Sequence, residues 1–232
     1  MSALIVVVAN QKGGSGKTTV SMQLAGTIAQ RGLRVLVADT DPQATATRWA
    51  ASAPDDAPFP AAVIGLSAAE GKVHRELRRH VDNYDLIVVD CPPAVDSTIP
   101  QSALVVGNLA LVPVIPSPAD LWATVGIRRV IDNIRAGANE TLNSRLLLNQ
   151  CDPHRTLARE AVEILPEFGI ELASSRLGHR EVYRQSVALG ATVHVLGSRA
   201  AQAIAEVEAL ADEVLEILGV SATAARGGRA NG

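Results

Sequence analysis

Residues 3–19 decide the fold: Ala3-Leu4-Ile5-Val6-Val7-Val8-Ala9, then Asn10-Gln11-Lys12-Gly13-Gly14-Ser15-Gly16-Lys17-Thr18-Thr19. The first seven residues are apolar on both faces of an extended chain, which predicts a strand covered by helices on either side. A glycine-rich loop follows, and residues 17–31 then take up helical periodicity. Glycines let the backbone curl until several N–H groups point at one centre, and the positive end of the following helix adds to that field. Such a loop suits a phosphate group, with Gly13, Gly14, Ser15, Gly16, Lys17, Thr18 and Thr19 as the candidate binding residues. Lys17 can reach the β- and γ-phosphates of a nucleotide, and the Thr18 hydroxyl can ligate Mg²⁺. The order strand, loop, helix separates this loop from a bare glycine-rich turn.

Two details of the loop depart from G-x-x-x-x-G-K-[ST]. Gln11 stands at the first glycine position, and Lys12 adds a second lysine five residues before Lys17. The 21 basic residues include only three lysines, Lys12, Lys17 and Lys72, and two of those three lie in this loop.

Outward from the loop, short β-branched runs alternate with helical patterns. Strands are predicted at residues 3–9, 35–39, 62–66, 86–90, 109–114 and 145–149, with a weaker one at 170–173. Helical periodicity marks 17–31, 43–52, 68–80, 119–135 and 153–168, and one long helix is expected at 198–218. The alternation predicts an α/β fold, a doubly wound, mostly parallel sheet with helices on both faces. A single domain over residues 1–220 is expected, followed by an Ala/Gly/Arg-rich tail at 221–232 that reads as disordered.

Composition narrows the class. The chain of 232 residues is 47% hydrophobic and 19% charged, which excludes a disordered protein, and 3% aromatic, so Ala, Val, Leu and Ile must build the core. Cys91 and Cys151 are too few for a disulfide framework or for a four-thiolate metal site within one chain, and they fit packing residues in a reduced, cytoplasmic setting. No signal peptide is apparent, and no apolar run approaches the roughly 18 residues of a membrane span. The net charge of −3 does not bear on nucleic-acid binding, which depends on local patches.

Three further stretches carry carboxylates or amides at strand ends. Asp39-Thr40-Asp41-Pro42-Gln43 closes the second strand, at the edge where doubly wound sheets bind ligands. Leu86-Ile87-Val88-Val89-Asp90-Cys91-Pro92-Pro93 is an apolar strand presenting one carboxylate, Asp90, toward a metal, before two prolines force the chain out of the strand. Asn149 ends the sixth strand with both a donor and an acceptor.

Lys-Gly-Gly-Ser-Gly-Lys-Thr-Thr resembles the deviant Walker A loop of the ParA/MinD superfamily of P-loop ATPases, and the other motifs arrive in that superfamily's order over roughly residues 3–218. The resemblance implies ATP and Mg²⁺ as ligands and an ATP-dependent homodimer in which Lys12 reaches the partner's nucleotide. It implies that Asp41 positions the attacking water, that Asp39 joins Thr18 and Asp90 around the metal, and that the Asp-Cys-Pro-Pro segment senses the γ-phosphate. It places Asn149 at the adenine edge. Pro116-Ser117-Pro118-Ala119-Asp120 resembles the compact ParF-like branch, which implies a place at the dimer face with Asp120 near the partner subunit or its nucleotide. From the residues alone, Asp41 also fits a helix N-cap, Asp120 a first-turn helix charge, and Asn149 a residue opening a loop.

The resemblance further implies non-specific binding to nucleoid DNA and a ParB-like or other cargo adaptor that stimulates hydrolysis. Arg155, Arg159, Arg176, Arg180 and Arg184 are the candidate DNA contacts, with Arg180 and Arg184 four apart on an expected helical face; a plain solvated face is the alternative. The sequence opens on its first strand, so operator recognition through an N-terminal helix-turn-helix is not expected. The last helix carries Glu206, Glu208, Asp212, Glu213 and Glu216, which argues against membrane binding. The function expected is a ParA-type ATPase that positions a plasmid, a chromosome locus or a protein organelle. A metabolic P-loop enzyme of the dethiobiotin synthetase or amidoligase type, or an ATP-dependent filament, are the alternatives.

Overall fold

The computed structural model describes residues 2–93, 97–152 and 156–220. The expected tail and Arg155 lie outside them. Seven strands form one sheet: β1 (Leu4–Val8), β2 (Val35–Asp39), β3 (Ala62–Gly65), β4 (Leu86–Asp90), β5 (Leu109–Val114), β6 (Asn143–Cys151) and β7 (Leu172–Gly178). Their order is β3-β2-β4-β1-β5-β6-β7, and every pairing is parallel. The helices are α1 (Lys17–Gln30), α2 (Thr45–Ala51), α3 (Val73–Arg78), α4 (Thr98–Leu104), α5 (Pro118–Gly137), α6 (Thr156–Ile164), α7 (Glu181–Ala188) and α8 (Ala201–Ile217).

Alternation along the strands builds two cores. Val6, Val8, Val37, Val88 and Leu111 face one side, where they pack with Met22, Leu24 and Ile28 of α1, Trp49 of α2 and Val207, Leu210 and Val214 of α8. Ile5, Val7, Leu36, Ile87, Val89 and Val112 face the other, against Val73 and Leu77 of α3, Leu104 of α4, Ile127 and Ile131 of α5 and Ala161 of α6. This is why the central strands are apolar at every position. Each fully buried Leu or Ile contributes about 1.5–3 kcal/mol, so the layers rest on many such side chains and few rings.

The boundaries differ from expectation where polar or special residues intervene. The last strand covers Leu172–Gly178, where exposed Ser174 and Arg176 alternate with buried Ala173, Ser175 and Leu177. The helix expected at 198–218 begins only at Ala201, because a 3₁₀ segment, Val193–Ala200, kinked at Gly197 (φ 56°), precedes α8. A 3₁₀ turn, Leu165–Phe168, ends the helix expected to 168, since Pro166 lacks the N–H that an α-helix needs there.

α1 is buried nearly all round, including Ser21, Gln23 and Thr27. Gln23 uses both ends of its amide: Nε2 donates to Ser186 Oγ at 2.8 Å, and Oε1 accepts the Val193 N–H at 2.9 Å. One turn on, Gly26 lets Thr192 and Phe59 close in, since a Cβ there would lie 2.3 Å from Thr192 Cγ2 and 3.0 Å from Phe59 Cζ. Gly26→Ala is therefore expected to destabilise the fold by about 1–3 kcal/mol through overpacking, read as a lower urea midpoint at unchanged slope.

Candidate functional site

The loop between β1 and α1 lies at the carboxyl edge of the sheet, where Val8, Asp90 and Asp39 stand at matching register positions on β1, β4 and β2. Gly14 (φ 79°) and Gly16 (φ 83°) take left-handed conformations that turn the chain into α1. Gly16 caps that helix without a side-chain bond, and its first turn contains no acid. The positive helix end is thus left for an external anion.

Side chains from three directions fix the loop. Asn10, buried where β1 ends, donates from Nδ2 to the Pro113 carbonyl at 2.7 Å and accepts the Lys12 N–H at 3.3 Å. From β6, Asn149 Nδ2 donates to the Ser15 carbonyl at 2.7 Å and Gln150 Nε2 to the Gly14 carbonyl at 3.0 Å. Lys17 is buried and its Nζ donates to the Lys12 carbonyl at 3.0 Å; desolvation pulls its pKa below the usual lysine range. From α5, Asp120 Oδ2 accepts Lys12 Nζ at 2.5 Å.

Asp90 is fully buried and accepts from Thr18 Oγ1 at 2.7 Å and from Ser21 Oγ at 3.0 Å. Desolvation pushes its carboxyl up to about 7, against the lowering effect of those two hydroxyls. Thr18 and Asp90 are hard oxygen donors side by side at the phosphate loop, a set that fits Mg²⁺ and its preference for few protein ligands. Asp39 is buried beside them, with Oδ1 accepting the Asp41 N–H at 3.2 Å and Oδ2 accepting from Thr47 N and Oγ1 at 2.8 and 2.9 Å. It therefore also anchors the first turn of α2.

Asp41 does not cap a helix at Pro42. Its Oδ1 accepts the Gln43 N–H at 2.8 Å in a tight turn, and α2 starts only after Ala44, itself left-handed (φ 52°). Asp41 lies close enough for its charge to act on Lys17. Asp120 does stand in the first turn of α5, but it is buried there and accepts from Ser117 Oγ as well as Lys12. Cys91 is buried, and burial raises its thiol far above the usual range, which leaves it an inert packing residue.

The arginines are not equivalent. Arg159 on α6 and Arg176 on β7 are exposed, and Arg184 is exposed with a 3.2 Å pair to Glu181. Arg180 precedes α7 in extended backbone (φ −127°, ψ 137°), so it shares no helical face with Arg184. Its guanidinium binds Glu206 at 2.5 Å and Gln202 at 2.7 Å, which holds it inward. Sequence reasoning missed Asn10, Ser21, Thr47 and Gln150. Ser21 carried a signal, a hydroxyl one turn after Lys17 on a buried helix; the others reveal themselves only through tertiary contacts.

At Gly16, a Cβ would lie 2.2 Å from Asn149 Nδ2, and the positive φ adds strain for any L side chain. Gly16→Ala is expected to weaken ADP binding about 100-fold by titration calorimetry, with the far-UV circular dichroism unchanged.

Comparison with known proteins agrees with this geometry. Residues 6–193 match the family model "CobQ/CobB/MinD/ParA nucleotide binding domain". Maintenance of carboxysome distribution protein A of Halothiobacillus neapolitanus is 34% identical over 215 residues, spanning 92% of this chain and 97% of that protein. The chromosome-partitioning ATPase Soj of Thermus thermophilus is 30% identical over 185 residues, 68% of this chain and 73% of that one. Among solved structures, the Cyanothece McdA–ATP complex superposes with a TM-score of 0.78 at 19% identity, covering 95% of this chain and 98% of that one. Pyrococcus furiosus cell division ATPase MinD gives 0.75 at 20% identity, covering 94% and 100%. The loop, the carboxylates and the parallel sheet thus have one explanation: the chain belongs to the CobQ/CobB/MinD/ParA nucleotide-binding family.

Proposed function

We propose that this chain is an ATP-hydrolysing, DNA-tethered positioning protein whose cargo is of the carboxysome kind. The observation that carries the reading is the end-to-end similarity to the Halothiobacillus carboxysome distribution protein, together with Lys12 in the phosphate loop. ATP would occupy the loop, with Lys17 and the N–H groups of residues 13–19 on its phosphates. Asn149, whose Nδ2 is committed to the loop, would offer its amide oxygen to the adenine amino group. Thr18 and Asp90, with Asp39 behind them, would hold Mg²⁺. The bound ion would neutralise charge on the β- and γ-phosphate oxygens. Asp41, beside the loop, would orient the water that attacks the γ-phosphorus. Catalysis is then mostly positioning and charge stabilisation.

Two subunits would meet across their loops, each Lys12 completing the other's site. The dimer would bind nucleoid DNA through Arg159, Arg176 and Arg184, with Arg155 as a further candidate. Arg180, tied to Glu206, would act from behind that surface. A cargo-bound adaptor of the ParB-like class would stimulate hydrolysis and release the dimer. No observation favours a metabolic acceptor or a filament over this reading.

DNA binding at two salt concentrations, with ADP and with a slowly hydrolysed ATP analogue, tests the tether. Binding is expected only with the analogue, falling steeply with salt and absent in Lys12→Ala. Binding that ignores the nucleotide, or none in any state, would overturn it. For the chemistry, Asp41→Ala is expected to slow phosphate release about 100-fold or more while analogue affinity holds, as measured by phosphate assay and calorimetry.

A further inference from the structure

The amine of Lys12 is already occupied. Its Nζ lies 2.5 Å from Asp120 Oδ2 of its own chain, on a carboxylate only 1% exposed. The neighbouring loop residue is seated on the same helix, since a Cβ on Gly126 of α5 would meet Gln11 Oε1 at 2.0 Å. Two consecutive loop residues are thus docked on α5. Asp120 is also only half satisfied: Oδ2 takes Lys12 and Ser117, while Oδ1 is buried with no hydrogen-bond partner. A buried carboxylate with an idle oxygen depends the more on its cation, because losing the amine leaves a nearly uncompensated buried charge.

We infer that Asp120 is a positioning residue that parks Lys12 in cis and thereby sets which nucleotide state permits dimerisation. This rests on the dimer reading above. For Lys12 to reach a partner's nucleotide, the pair with Asp120 must break and leave a buried carboxylate with Ser117 alone. One carboxylate competes poorly with a triphosphate but better with a diphosphate, which lacks the γ-phosphate charge. The latch therefore opens for a partner loaded with ATP and stays shut against one loaded with ADP. The side chain of Trp122, two residues beyond Asp120 and 76% exposed, lies on the element that the release would disturb.

The test separates the latch from the dimer. In the first arm, Lys12 and exposed Lys72 are acylated in the ADP-bound chain, and their rates are compared by peptide mass spectrometry. Asp120→Asn keeps the side-chain shape and removes the charge, and it is expected to raise the Lys12:Lys72 rate ratio about tenfold. Equal ratios, with ADP affinity unchanged, would overturn the proposal. In the second arm, sedimentation velocity follows dimerisation. Asp120→Asn is expected to tighten the analogue-bound dimer about tenfold and to bring out a dimer with ADP. Lys12→Ala and Lys12→Ala/Asp120→Asn are expected to behave alike, a readout that a merely structural Asp120 would not give. A variant dimer no tighter than wild type would sink the gating role. Wild type that never dimerises, alongside a tenfold change in acylation, would overturn the dimer reading and the gate while leaving the parked lysine standing. Asp120→Ser serves in the same assays if the amide variant does not fold.

Discussion

A carboxylate stripped of water is the constraint around which this molecule is arranged. Asp90 ends an all-apolar strand with zero exposure, and among the described residues two hydroxyls answer it, both from the first turns of α1. That requirement fixes the rotation of α1 on the sheet, because Thr18 and Ser21 must both face β4. It fixes the neighbouring backbone too, since Thr40 bonds the Asp90 carbonyl through both its N–H, at 3.0 Å, and its hydroxyl, at 2.7 Å. With α1 so fixed, the loop that precedes it has one course, and Lys17 comes close enough for its charge to act on Asp90. A buried carboxyl pushed up to about 7 and a buried lysine pulled down are complementary signs of one arrangement, a site stripped of water by burial.

The same helix connects the front of the molecule to its back. Gln23 spends its whole amide on Ser186 and the Val193 backbone, and Arg31, just past the helix end, binds the Glu208 carbonyl at 3.0 Å and Asp212 at 2.6 Å. A shift of α1 on nucleotide binding would therefore pull on α8 and on α7, which carries Arg184. Buried polar contacts transmit such shifts because neither partner can slip without losing a bond that water cannot replace.

The central strands and the phosphate loop were legible from sequence because their signals are local. A strand covered on both sides must be apolar throughout, and a loop that wraps phosphate must be rich in glycine beside a lysine. Less legible were the elements whose logic lies elsewhere in the chain. β7 looks like a loop at Ser174-Ser175-Arg176, because an edge strand needs only alternate burial. α4 hides behind Pro100, which its first turn tolerates and which Ser97 precedes as an N-cap. The supports of the site were illegible for the same reason: Asn149 meets Ser15 across 134 positions and Lys12 meets Asp120 across 108. No periodicity encodes such pairs. The acids of the last helix could be counted in advance, but their partners could not.

Those acids also decide what the molecule can become. Glu213 accepts the N–H groups of Ser174 and Ser175, and Glu206 that of Gly178, so α8 occupies main-chain donors of β7 that an incoming strand would seek. An edge strand with open donors invites a neighbour to extend the sheet. Here carboxylates from the chain's own last helix have taken the places that a foreign strand's carbonyls would fill. On this side, growth of the sheet by strand addition is closed at those three positions.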